Sequence, residues 1–186
     1  MKTNSRKVLT FSLNLLLVFC SPSFSENYKI SQNTDVKFRY FVAGIPFGGE
    51  FKVIESRFEI DFEKPSESMF LVKFDLMKSN AGFPLATRAL KKVLAASSFP
   101  NVEFVSKSVE LNENFFYVTG SLKVRDVTNP VILIVTVLDN YSSASKEMRF
   151  AIEAKFNRLK FGVDDYYPLV SDLIILEDIL TLNRIN

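Results

Sequence analysis

The chain of 186 residues has no histidine and no tryptophan, six glycines and a single cysteine, Cys20. Without histidine, Ser–His–Asp and Cys–His catalysis and imidazole-bound zinc are excluded together. Cys20 sits in an N-terminal stretch that reads as a removable leader. Lys2, Arg6 and Lys7 form a basic start, Val8 to Cys20 an apolar core, and Ser23-Phe24-Ser25 places small residues at −3 and −1 of a cleavage site before Glu26. The apolar core is short and holds Thr10, Ser12 and Asn14, whereas a membrane span needs roughly 20 apolar residues. Phe19 before Cys20 argues against a lipid-modified cysteine. The expectation is a leader at 1–25, one domain at 26–186, a periplasmic address and no membrane span in the mature form. That domain has no cysteine for a disulfide, a thiolate metal site or a nucleophile.

Charge of one sign is also lacking. Removal of Lys2, Arg6 and Lys7 leaves 20 of the 23 basic residues against 21 acidic ones. Near balance with scattered charge leaves no electrostatic footprint for nucleic acid. No linker or low-complexity run divides the chain.

What is present is phenylalanine, 19 in all, with 6 tyrosines. Apolar residues recur at every second position: Val36, Phe38, Tyr40 and Val42; Phe58, Ile60 and Phe62; Phe70, Val72, Phe74 and Leu76; Phe116, Val118, Gly120, Leu122 and Val124; Phe150, Ile152, Ala154 and Phe156. The residues between them are mostly charged or polar, so each run reads as a strand with one wet face. Val131 to Leu138 and Leu173 to Leu182 are apolar on both faces and are expected to be covered outside, with a short helix over Leu85 to Ala96 as one candidate cover. Arg125 to Pro130, between two β-branched runs, reads as a tight turn, because Asp and Asn tolerate left-handed backbone and Pro fixes φ. Many antiparallel strands with one helix midway suggest a barrel or a sandwich.

Several stretches together resemble the YceI-like family of periplasmic lipid-binding proteins. Gly120-Ser121-Leu122-Lys123-Val124-Arg125-Asp126-Val127-Thr128-Asn129-Pro130-Val131 is similar to its hairpin, with Asp126 where Gly is usual and Asn129 where a basic residue is usual. Ser97 to Ser106 resembles the segment after the family's helix, and Gly44, Gly49-Glu50-Phe51 and Phe58 to Phe62 its opening. Tyr28-Lys29-Ile30, Phe161-Gly162-Val163 and Val170-Ser171-Asp172 fit its ends. The resemblance implies a mainly β protein: an antiparallel eight-stranded lipocalin-like barrel with one capping helix near residues 85–96, holding a long isoprenoid chain. Members often carry His around the positions of Asn33 and Val42, which this chain lacks.

In such a barrel inward rings line a pocket rather than interlock with an opposite layer. The expected lining is Phe38, Tyr40, Phe58, Ile60, Phe74, Phe104, Leu122, Val124, Phe150, Ile152 and Phe156. Arg39, Arg57, Arg88 and Arg125 are candidates to meet an anionic head at the lumen mouth. Asp164-Asp165 and Glu177-Asp178 are acid pairs, but neighbours on a strand point to opposite faces, which disfavours glycosidase-type work. The functional expectation is non-enzymatic transport or storage of an isoprenoid lipid, a quinone or a polyprenol. No cofactor and no metal are expected, and homodimer formation is left open. The alternative is an interaction protein whose barrel is filled by its own side chains.

Overall fold

The computed structural model describes residues 25–31, 34–112, 115–139 and 145–185. The expected leader, apart from Ser25, and Asn33 lie outside the described residues. In chain order the strands are β1 (Glu26–Ile30), β2 (Asp35–Val42), β3 (Ile45–Ile60), β4 (Met69–Asn80), β5 (Asn101–Asn112), β6 (Phe115–Val124), β7 (Val127–Val137), β8 (Glu147–Asn157) and β9 (Leu173–Arg184), with one α-helix, α1 (Pro84–Val93), after β4.

All of the pairings are antiparallel, and β4 returns to pair with β3, so the order β3-β2-β9-β8-β7-β6-β5-β4 closes on itself. This is an eight-stranded lipocalin-like barrel. The ninth strand does not widen it. β2 pairs with the first half of β3 and with Leu176 and Ile175 of β9, whereas β1 pairs with Phe58 to Ile60 of β3 and Leu182 to Arg184 of β9. The two short strands thus fill one position of the ring end to end. Where they break, the Asp178 carboxylate accepts the Lys37 backbone N–H at 3.0 Å, a donor that a continuous ladder would have satisfied.

The alternation of the sequence becomes the inner wall. Val36, Phe38 and Tyr40 are buried while Lys37 and Arg39 are exposed, and Val72, Phe74, Leu76, Val118, Leu122, Val124 and Phe150 repeat the pattern. Two glycines make room for rings on that wall. A Cβ on Gly120 would lie 2.4 Å from the Phe104 ring and 2.6 Å from the Val105 carbonyl oxygen, and one on Gly49 would lie 2.4 Å from the Phe38 ring. The far end of the barrel is closed by the β3–β4 connection, where the Asp61 carboxylate accepts the N–H groups of Glu63 and Lys64 at 2.9 and 2.7 Å and a short 3-10 turn, Pro65–Glu67, follows.

α1 covers the opposite end. Pro84 opens it, Lys91 and Lys92 stand in its last turn where cations complement the helix dipole, and Ala95 at φ 47° ends it. Ala86 and Leu90 pack against the cluster of Phe38, Tyr40 and Ala81. The helix therefore does not cover the outside of β7 or β9. Ile132, Leu138 and Ile179 are exposed, so the outer cover expected for 131–138 and 173–182 is not there. Both runs are apolar on the inside because they line the lumen and apolar on the outside without a partner among the described residues.

The turn also differs from expectation. Only Arg125 and Asp126 connect β6 to β7, with Val124 opposite Val127, while Asn129 and Pro130 already lie in β7 opposite Leu122 and Ser121. The left-handed residue is Arg125, at φ 58°, not Asp126. That conformation brings the Arg125 guanidinium to the Gly162 carbonyl at 3.0 Å and to the Val93 carbonyl at 3.5 Å, which ties the end of α1 to the turn after β8. The Asn129 amide donates to the Lys160 carbonyl at 2.8 Å, adding a second tie to that turn.

Two expectations test this account. Ala43 and Gly44 join β2 to β3 with φ of 49° and 81°. Asn is the residue favoured beside Gly when both turn positions are left-handed, so Ala43→Asn is expected to stabilise by about 1 kcal/mol. Thermal unfolding should then rise by roughly 2–4 °C. Gly120→Ala is expected to destabilise by about 1–3 kcal/mol because the new methyl meets both a ring and backbone. A melting temperature equal to that of the parent would contradict the tight contact with Phe104.

Candidate lipid-binding cavity

Inside the barrel stand two cavities that meet. The lower, of about 90 Å³, has only apolar residues in its wall, among them Phe58, Ile60, Phe104, Phe150 and Ile152. The upper, of about 420 Å³, lies between the barrel and α1 and includes Phe38, Tyr40 and Val124. Phe74, Leu122, Phe156 and Leu176 belong to both walls and form the constriction between them. All of the residues singled out from the sequence as lining thus face one chamber or the other.

An aromatic ladder runs along the upper wall. Phe83 and Phe47 have ring centroids 5.8 Å apart, Phe47 and Tyr40 5.7 Å, Tyr40 and Phe38 6.1 Å, Phe38 and Phe51 4.3 Å in a stacked pair, and Phe51 and Phe74 5.6 Å. The ladder begins at the exposed Phe83 and ends at the constriction. The only hydroxyl on it is spoken for: Tyr40 donates to the Ala81 carbonyl at 3.0 Å, and burial raises its pKa above the ordinary phenol value. Tyr40 accordingly stays neutral through physiological pH.

Polar groups gather at the mouth. Arg158 is buried, and its guanidinium donates to the carbonyls of Ser171 at 2.9 Å, Val170 at 2.8 Å and Val163. Burial pulls its pKa down, and the carboxylates of Asp172, Asp164 and Asp165 pull it back up. Its chemistry here is to fold the 163–171 segment over the barrel end. That segment supplies Asp165 and Tyr166 to the upper wall. Sequence reasoning passed over Arg158, although the inward alternation of Ala154 and Phe156 reaches it at the next step. Asp165 and Tyr166 lie in a turn, where no periodicity points to them.

The cationic head-group candidates separate. Arg39 pairs with Glu177 and Arg57 with Glu59, all on the outer face of the barrel. They are not at the mouth. Arg88 is exposed on α1, and Arg125 is engaged with the Gly162 and Val93 carbonyls. Of the acid pairs, Glu177 is exposed beside Arg39, while the less exposed Asp178 accepts the Lys37 N–H at the strand break and lies 3.6 Å from the Lys37 ammonium, so each carboxylate is engaged by a cationic residue of β2. Asp164 and Asp165 are exposed turn residues rather than strand residues. Among the described residues, no group of three or more acidic, histidine or cysteine side chains could hold a metal ion, and no helix is long and apolar enough to cross a membrane.

The barrel has known counterparts. BcnA of Burkholderia cenocepacia superposes with a TM-score of 0.71 at 20% identity, covering 79% of this chain and 94% of that one. A YceI protein of Campylobacter jejuni superposes with a TM-score of 0.62 at 15% identity, covering 96% of this chain and all of its own. At such identities the likeness is one of fold. In sequence, the UPF0312 protein plu2095 of Photorhabdus laumondii is 27% identical over an alignment of 134 positions that covers 69% of this chain and 70% of that protein. The YceI-like domain matches residues 28–180, nearly the whole of the barrel. The lumen of apolar rings and the match together carry one conclusion: the chain belongs to the YceI-like family, whose barrel is consistent with a binding protein.

Proposed function

We propose that this protein binds an isoprenoid lipid, a quinone or a polyprenol, with its tail inward, and transports or stores it in the periplasm after loss of residues 1–25. No catalytic step is part of the reading. The observation that supports it best is the upper chamber: an apolar volume of about 420 Å³ that opens beside exposed residues and has its polar groups at the mouth. Ligand sites commonly fall at about 300–1,000 Å³. Burial contributes about 0.8 kcal/mol per methylene, so one five-carbon prenyl unit contributes roughly 4 kcal/mol. Association costs about 4–15 kcal/mol, which roughly one to four buried units offset. The head group would meet Asp165 and Tyr166, since Arg158 is committed to carbonyls.

The lower chamber favours the second reading in part. At about 90 Å³, behind four apolar side chains, it is close to filled by the protein's own rings. A barrel filled in this way throughout would be an interaction protein without a ligand. Native mass spectrometry of protein purified without detergent separates the two: a carrier is expected to release a prenyl lipid on denaturation. An empty wild type that also refuses added ubiquinone and polyprenol would overturn the carrier reading. Intact mass of protein from the cell envelope is expected to begin at Glu26, and retention of residues 1–25 would overturn export.

A charge in the wall should be decisive. Phe38→Asp and Phe156→Asp are expected to abolish bound lipid mass while the far-ultraviolet dichroism stays β-type, because an unpaired carboxylate in an apolar chamber repels the tail. With no histidine in the chain, affinity is expected to be flat between about pH 5.5 and 7.5. The tyrosine-linked part of the stability is expected to fall in alkali. Tyr28 and Tyr40 have pKa values raised from 10.0, chiefly by burial. A raised folded-state pKa favours the protonated form, so this stabilisation is full below the unfolded value and is lost as pH climbs through the folded one. An affinity that changes several-fold across the neutral range would point to a titrating group in the cavity.

A further inference from the structure

The mouth of the upper chamber is ringed by large apolar side chains left in water. Leu85 is 71% exposed, Ile45 60%, Leu169 58%, and Phe83, Tyr166 and Tyr167 are exposed as well. They come from three segments held together. The Ala43 N–H donates to the Leu169 carbonyl at 2.8 Å, Val42 bridges to Val170 and pairs with Ile45, and the rings of Phe47 and Phe83 are neighbours. Phe83, Leu85 and Tyr166 also line the chamber, so the patch is continuous with the apolar interior. A large exposed apolar surface of this kind marks an interaction site.

Charge indicates what it meets. α1 carries Arg88, Lys91 and Lys92 and no acid. Leu85, Arg88 and Lys92 are all exposed and fall at i, i+3 and i+7, on one stripe of the helix, so two cations continue directly from an apolar rim residue. Asp165, which lines the chamber, and its exposed neighbour Asp164 belong to the 163–171 segment and not to α1. Apolar side chains with tyrosines and flanking Lys or Arg are the composition of surfaces that enter the headgroup layer of an anionic bilayer.

We propose that this rim is a membrane-docking surface. Ile45, Phe83, Leu85, Tyr166 and Leu169 enter the interfacial layer, Arg88 and Lys92 meet lipid phosphates, and the chamber mouth faces the hydrocarbon. The proposal rests on the carrier reading for its purpose, since a prenyl tail could then pass between bilayer and barrel without crossing water.

The test is co-sedimentation with vesicles of phosphatidylcholine alone and of equal parts phosphatidylcholine and phosphatidylglycerol, beside binding of farnesol in solution. The wild type is expected to bind the anionic vesicles. Ile45→Glu with Leu169→Glu, two positions outside the chamber wall, should lower that binding at least about tenfold with farnesol affinity unchanged. Arg88→Glu with Lys92→Glu should remove the preference for the anionic vesicles. Wild type that stays in the supernatant with both vesicles, or an Ile45→Glu/Leu169→Glu protein that binds as the wild type does, overturns docking. A solution dimer that the same double variant dissolves, with vesicle binding unaltered, assigns the rim to a second copy and also overturns it. If vesicles are bound and farnesol is not, docking stands and the carrier reading falls; farnesol bound without vesicles gives the reverse.

Discussion

Closure of the sheet through β3 is the constraint on which the other features depend. At 16 residues it is the longest strand, and it pairs with β1, β2 and β4, so the ring has no free edge there. Its register shifts between Glu50 and Lys52 and again between Val53 and Glu55, the irregularities a strand needs to bend around a small barrel. Closure leaves inward residues no opposite layer to interlock with. An interior ringed by eight strands is just wide enough for side chains or one small ligand, and the two chambers are the space that remains between the rings. The glycines beside the rings of Phe104 and Phe38 belong to the same constraint, because large rings on a narrow inner wall fit only where a neighbouring Cβ is missing.

The absence of an edge also limits what the outer apolar stripe on β7 and β9 can do. Ile132 and Ile179 are exposed, but β7 lies between β6 and β8, and β9 between β8 and the β1–β2 pair, so neither strand is an edge of the sheet that another chain could extend. Glu153, Lys155 and Glu177 alternate on the same outer surface, and Arg149 is bound by Asp139 through bonds of 2.7 Å and 2.9 Å. A flat sheet with that stripe would be an aggregation hazard. A closed one carries it as isolated patches.

What was legible in the sequence was what has a period. The alternation in β2, β4, β6 and β8 told inside from outside, and with it the wall residues from Phe38 to Phe156. What has no period was not legible. The division of one ring position between β1 and β2, mended by Asp178, depends on strands distant in sequence meeting end to end. The left-handed Arg125 was unexpected because residue preference favours Asp or Asn there, and the tertiary ties from its guanidinium to Gly162 and Val93 override a preference of that size. The apolar runs in β7 and β9 misled for a related reason: two apolar faces mean two apolar surroundings only when something packs outside, and composition does not say whether it does.

The constriction determines how a tail would enter. Phe74, Leu122, Phe156 and Leu176 are contributed by β4, β6, β8 and β9, four strands whose ladders are fixed by their neighbours. Moving a strand would break several backbone bonds at once, whereas turning a side chain between staggered rotamers costs little if the space it enters was apolar already. Opening the lower chamber is therefore a matter of rotamers and not of the sheet. The upper chamber, in contrast, is bounded by α1 and the 163–171 segment, which lie outside the long ladders. Residues 169–171 are joined to the end of β2 by backbone bonds, and Arg125 and Arg158 add ties through carbonyls at the end of α1 and along the segment. The barrel is thus braced by ladders on all sides around the lower chamber, whereas at the mouth a few backbone bonds and two guanidinium groups do the holding, so any adjustment to a guest would fall there first.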